Sequence, residues 1–265
     1  MLELNGIHKI FNEGTPDEKI AIDHINLKVK QSDFITIIGS NGAGKSTLFN
    51  IIAGKLFPDV GDVLIENKKV TNLPEYKRAR YMGRVFQDPM AGTAPTLSIE
   101  ENLSIAYNRV KTRSFRLGVS SSRRTLFKEK LETLGLGLEN RLEAKVGLLS
   151  GGERQALSLL MATFTKPKIL LLDEHTAALD PSRAALITRL TKQIVEEEQL
   201  TTIMITHNMQ QAVDLGNRIL MMDKGKVIYE AAGEEKQKLT VPDLLNEFSK
   251  MKSDGAELSD RTLLG

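Results

Sequence analysis

Two kinds of apolar pattern run along this chain. In IDHINLKV, Ile25, Leu27 and Val29 alternate with polar neighbours, as in an antiparallel strand with one face in water. In DFITIIG and ILLL the apolar residues run on without alternation, which predicts strands covered on both faces, as in a parallel sheet. A third period appears in LFNIIAGKL, where Leu48, Ile51 and Ile52 recur at helical spacing, and in SRAALITRLTKQIVEEEQ, where Leu186, Leu190 and Ile194 do. With TTIMIT following that second helix, the pattern is βαβ, and the fold class is α/β with an antiparallel β portion toward the N-terminus.

Other segments fill in this outline. GDVLIENKKV predicts a strand pair with an Asn-Lys turn, and RILMMDKGKVIYE a closing hairpin that turns at Lys224 and Gly225. From Pro89 to Leu149 the apolar pattern becomes mostly helical, which marks an inserted helical subdomain at 89–149 within a single domain spanning 1–235. The core and the β subdomain then take 1–88 and 150–235, and 236–265 is a short helix, VPDLLNEFSKM, with a tail.

Composition narrows the function classes. The 36 basic and 34 acidic residues leave a formal charge of +2, too balanced to argue for a nucleic-acid partner. Absence of cysteine excludes disulfides and thiolate metal sites and fits a reducing compartment. The four histidines, His8, His24, His175 and His207, are scattered, and no pair has zinc-ligand spacing. No apolar run is long enough for a membrane span, and the N-terminus lacks the order of a signal peptide, so a cytoplasmic chain is expected.

The candidate chemistry begins at GSNGAGKST, which matches G-x-x-x-x-G-K-[ST] at Gly39, Gly44, Lys45 and Ser46, between an apolar strand and an amphipathic helix. Glycines at 39, 42 and 44, with Ser40, Asn41 and Ala43 between them, let backbone N–H groups turn inward around phosphates, and the helix beginning near Lys45 adds its positive end. Lys45 brings a point charge to the β and γ phosphates, Ser46 a hydroxyl for Mg²⁺, and Thr47 a contact for a further phosphate. A nucleotide so held needs an acid near the metal. Asp173, which ends the apolar run ILLLD, is placed for that, leaving Glu174 as general base toward the attacking water.

VGLLSGGERQALSL decides the class. Taken alone, Ser150 and Glu153 are a helix capping box, but Gly151 and Gly152 strip that helix end to bare N–H donors and make a second anion site. Leu149 to Glu153 with Gln155 resembles the LSGGE-x-Q signature of the ATP-binding subunits of ABC transporters. That resemblance implies a P-loop NTPase core with an antiparallel β subdomain and a helical insert. It also implies ATP and Mg²⁺ as ligands, and roles for further residues. Phe11 matches the aromatic that stacks on adenine, Gln87 the glutamine that reaches Mg²⁺ and the attacking water, Asp180 the loop that crosses between subunits, and His207 the histidine on the γ-phosphate.

The family more often has Pro at 175 and Ser at 177, where this chain has His175 and Ala177; a structural role is expected for His175. The resemblance further implies a homodimer, or a pair with a similar ATPase, holding ATP between the loop of one copy and the signature of the other. Transmembrane permease subunits are the implied partners, docked on 88–103, at the inner face of the membrane. The DEHTAALD variant is similar to ATPases of bacterial uptake systems that use lipoprotein binding proteins, some carrying aromatic amino acids. An amino-acid importer with an extracellular solute-binding protein is therefore expected. An ABC exporter ATPase and a soluble mechanical ABC ATPase stay open as alternatives. Finally, Arg109 to Arg124 carries six Arg or Lys and no acid, read either as a solvated loop or as a contact to permease or anionic lipid.

Overall fold

The computed structural model describes residues 1–110 and 120–252. In chain order it contains β1 (Leu2–Phe11), β2 (Lys19–Val29), β3 (Phe34–Gly39), α1 (Lys45–Ala53), β4 (Val60–Ile65) and β5 (Lys68–Lys69). Next come α2 (Glu75–Arg78), β6 (Met82–Val85), α3 (Ile99–Asn108), α4 (Ser121–Glu132), α5 (Gly151–Thr163), β7 (Ile169–Asp173) and α6 (Pro181–Glu197). The last are β8 (Thr201–Ile205), α7 (Met209–Asp214), β9 (Arg218–Asp223), β10 (Lys226–Ala232), α8 (Gly233–Lys238) and α9 (Val241–Lys252). These elements fall into two compact units, one of Met1–Glu75 and Thr201–Gly265, the other of Tyr76–Leu200.

The first unit holds an antiparallel sheet of order β2-β1-β4-β5 and the strands β10-β9-β3-β8. Here β3 is parallel to both β8 and β9, while β10 closes antiparallel on β9. The two apolar patterns separate as their burial requires. Ile25, Leu27 and Val29 are buried while Asn26 and Lys28 face water, whereas every residue of β3 and of β8 is buried. Lys224 and Gly225 both have positive φ and turn the β9–β10 hairpin at the expected place. Against this sheet α9 lays Leu244 and Phe248 onto Met209, Ala212, Ile219 and Met221.

The second unit pairs β6 and β7 in parallel, with Val85 opposite Leu172. Its helices share an aromatic cluster in which Tyr107, Phe127 and Phe164 meet edge to face at 5.8 to 6.2 Å. Capping boxes start both α3 (Ser98 with Glu101) and α5 (Ser150 with Glu153), and α6 begins with Asp180 as cap and Pro181 in its first turn.

Two expectations change. The turn after β4 is made by Glu66 and Asn67, not by Asn-Lys, because Ile65 pairs with Lys68 and both turn residues take positive φ, as a two-residue hairpin of this hand demands. The buried stripe of α6 is Ile187, Leu190, Thr191 and Val195, with Leu186 and Ile194 only half buried. Thr191 belongs to that stripe because its hydroxyl meets the buried His175 imidazole at 2.9 Å, a polar pairing that hydropathy does not reveal. Of the basic stretch, 111–119 lies outside the described residues. Its flanks are committed to packing: Arg109 donates to the Ala162 carbonyl and Thr165, and Arg124 bridges Glu100 and Glu143.

Candidate nucleotide site

In the first unit, the loop from Gly39 to Lys45 links the buried end of β3 to the start of α1. Two of its positions admit only glycine. A Cβ on Gly39 would lie 2.1 Å from the Met222 carbonyl oxygen, and one on Gly44, at φ 103°, would lie 2.4 Å from that of Ala21. Gly44 is the residue from which α1 starts, so the first-turn N–H groups of Lys45, Ser46 and Thr47 leave the helix end without intrahelical acceptors. The Lys45 ammonium is buried and donates to the carbonyls of Gly39 and Ser40 at 2.8 and 2.9 Å, while Asn41, Gly42 and Ser46 are exposed.

Neighbouring segments brace this loop. Ser40 Oγ donates to Asp223 at 3.0 Å, and the Gly225 N–H donates to the Ala43 carbonyl while its own carbonyl accepts from Asp23. His207 follows β8, whose Ile205 pairs with Ile37 of β3, so His207 and the loop lie at the carboxyl ends of adjacent parallel strands, where α/β sheets hold ligands. Phe11 is half buried at the end of β1, with the Lys9 ammonium 5.7 Å from its ring centre.

In the second unit, Asp173 ends β7 and Glu174 follows at φ 46°, a left-handed backbone that non-glycine residues adopt at a cost of order 1 kcal/mol or more. A residue that the sequence reading passed over stands here: Arg84 of β6 donates to Asp173 at 2.9 Å and lies 4.8 Å over the Phe86 ring. The only hint in the sequence was a cation inside the apolar stretch YMGRVF. Gln87 is exposed just beyond β6, and the buried Gln155 amide donates to the preceding Phe86 carbonyl at 3.3 Å. Ser150 caps α5: the Glu153 N–H donates to Ser150 Oγ, and the Ser150 N–H donates to Glu153. Burial alone would raise the Glu153 carboxyl, but bonds from Ser150 and Arg141 outweigh it and hold it below its ordinary value. Arg183 packs over Gly152, and Asp180 accepts the Arg183 N–H as the cap of α6.

His175 is buried and its imidazole is pushed down to about 4 from the ordinary 6.5 by that burial. The unfolded chain therefore takes up a proton that the folded chain refuses between those values. The neutral ring contributes its full share of stability above pH 6.5, and this is lost as pH falls toward 4. The gap corresponds to about 3 kcal/mol. Denaturant unfolding of the wild type and of His175→Gln is expected to show the variant's stability falling less, by about that amount, over this window.

The Ser46 hydroxyl of the first unit, and the Asp173 carboxylate and Gln87 amide of the second, are each oxygen donors of the hardness that magnesium prefers.

A family model for the ABC transporter matches residues 22–177. The chain belongs to the ABC transporter ATP-binding family. Similar proteins include a tyrosine transport ATP-binding protein of Clostridioides difficile, 41% identical over 94% of this chain and 98% of the relative. A xylose/arabinose import ATP-binding protein of Sulfolobus acidocaldarius is 30% identical over 94% and 95%. Among solved structures, the dimeric post-hydrolysis ATP-binding cassette MJ0796, bound to ADP and Pi, superposes with a TM-score of 0.74 at 30% identity, covering 88% of this chain and 98% of that one. The ABC fold expected from the signature is thus the fold found, and this ABC subunit is an ATPase. Among the described residues no helix is long and apolar enough to cross a membrane.

Proposed function

We propose that this ABC ATPase energises bacterial uptake of a small solute of the amino-acid class, aromatic amino acids foremost. The observation that carries the reading is the 41% identity, spread over nearly the full length of both chains, to a tyrosine transport ATP-binding protein. The sugar-import relative supports uptake over export. The working unit is a pair of ATPases, this chain with a second copy or a similar one, peripheral on the inner face of the membrane beneath permease subunits, with an extracellular solute-binding protein supplying the solute.

The roles proposed for the residues rest on the family resemblance together with their chemistry. Phe11 stacks on adenine. The Gly39–Lys45 backbone, the Lys45 ammonium and Thr47 bind phosphates, with Ser46, Asp173 and Gln87 holding magnesium, which neutralises phosphate charge. Glu174 accepts the proton of the attacking water, and His207 donates to the γ-phosphate. Ser150, Gly151 and Gly152 of one copy bind the γ-phosphate held by the other, beside Asp180. Closure is then favoured by ATP and relaxed after hydrolysis, because those contacts need the phosphate.

The permease-docking surface is assigned to 88–103. In support, Asn102 is fully buried and holds that segment by bonds to Ala94 and Ser98, and leaves Met90 exposed. Met90→Glu is expected to abolish solute uptake in reconstituted vesicles while basal ATP hydrolysis stays within about twofold; uptake at the wild-type rate would sink the assignment.

Native co-purification of the tagged chain from membranes, with partners identified by mass spectrometry, tests the whole reading. A multi-span permease with a binding lipoprotein, whose aromatic amino-acid affinity is then measured, supports it. A permease alone favours export, and no membrane partner favours the soluble mechanical alternative.

A further inference from the structure

His8 and His24 are sixteen positions apart, a spacing that does not pair them in the sequence. The β1–β2 ladder brings them together through a bulge. Ile7 pairs with Ile25 and Lys9 with Ile22, so on β2 the two residues Asp23 and His24 face the single residue His8. Such an extra residue re-aims neighbouring side chains, and here His24 takes φ 51° at the bulge. The result is a convergent set: the two imidazole rings lie 4.3 Å apart, and the ligand-competent atoms of His8, Asp23 and His24 all lie within 4.8 Å of one another.

We propose that His8, Asp23 and His24 form a binding site for a borderline divalent transition ion of the zinc class. His8 Nδ1 lies 3.5 Å from Asp23 Oδ1, and His24 Nδ1 lies 2.8 Å from the same oxygen. A tetrahedral zinc with ligand bonds of about 2.0–2.2 Å has ligand-to-ligand edges of roughly 3.3–3.6 Å, so the His8–Asp23 edge already fits and the His24–Asp23 edge, now a hydrogen bond, opens by about 0.5 Å when the exposed His24 ring turns to the ion. His8 is 9% exposed, and its Nδ1, aimed at this carboxylate, has no hydrogen-bond partner. A buried imidazole nitrogen that faces a carboxylate and a second imidazole has a lone pair suited to metal ligation.

The surroundings suit a cation at Oδ1. Lys226 lies 3.2 Å from Oδ2, fixing the carboxylate from the far side while Oδ1 faces the rings. Two imidazoles and one carboxylate select zinc, cobalt or nickel over magnesium or calcium, which prefer all-oxygen shells. Water completes the coordination, since three protein ligands leave a tetrahedral position open.

The test uses the full chain, tag-free, stripped of metal and without nucleotide. Zinc is measured by equilibrium dialysis and geometry by the visible absorption of added cobalt(II). One ion per chain is expected, with intense tetrahedral-type cobalt bands and a rise in unfolding temperature on adding zinc. His24→Asn keeps the left-handed backbone that Asn tolerates and removes a ring that is mostly exposed, so the variant should fold; it should bind zinc at least tenfold more weakly and lose the cobalt bands. His8→Gln should do the same, while His207→Asn should bind as the wild type does. Failure of the wild type to bind, or undiminished binding by His24→Asn, overturns the proposal.

Discussion

Replacing Glu174 with Gln is expected to lower ATP turnover by about two to four orders of magnitude, the worth of a positioned general base, while leaving ATP affinity within a few-fold. The substitution keeps size and shape while removing the negative charge and, with it, the ability to accept a proton. Asp173 cannot take over the role, because Arg84 donates to its carboxylate at 2.9 Å and holds it as an ion-pair partner. The backbone at Glu174 is left-handed, φ 46°, and an amide at that position inherits the same conformation. Folded stability should therefore change little. Phosphate release and nucleotide binding, measured separately on the same preparation, check this. A rate within tenfold of the wild type would remove Glu174 from the chemistry.

Lys45→Met is expected to weaken ATP binding by roughly a hundredfold or more, each hydrogen bond to a charged group contributing about 1.5–3 kcal/mol. A second effect acts in the absence of nucleotide. The Lys45 ammonium donates to the carbonyls of Gly39 and Ser40; methionine leaves both acceptors without that donor, at a cost of about 1–3 kcal/mol for each group that stays buried. Lys45→Met should thus bind ATP poorly and also unfold at a lower temperature, whereas Glu174→Gln should do neither. Calorimetric titration and a thermal scan of the two variants side by side separate the roles. Wild-type ATP affinity in Lys45→Met would contradict the phosphate assignment of the loop.

Much of this arrangement was legible in the sequence because it is local. The unalternating runs of β3 and β7 announced buried strands, Gly39, Gly44 and Lys45 fixed the strand-to-helix loop, and Ser150 with Glu153 marked a capping box that is present in full. What the sequence hid depends on partners far along the chain. The Arg84–Asp173 pair joins residues 89 positions apart, and an isolated arginine in an apolar strand has no motif to disclose its partner. The buried face of α6 turned away from Leu186 because Thr191 serves His175. The meeting of His8 with His24 required a bulge, and neither the position nor the hand of a bulge is written in an alternation of apolar and polar residues.

The capping box on α5 also fixes the direction in which Ser150 can speak. Its oxygen accepts the Glu153 N–H, while the Glu153 carboxylate is occupied by the Ser150 N–H and by Arg141. The hydroxyl hydrogen is what remains to offer outward, beside the N–H groups of Gly151 and Gly152, which the first turn of a helix leaves without internal acceptors. This end of the helix is consequently rich in donors. An oxyanion satisfies several such donors at once, and where none is present hydration takes its place.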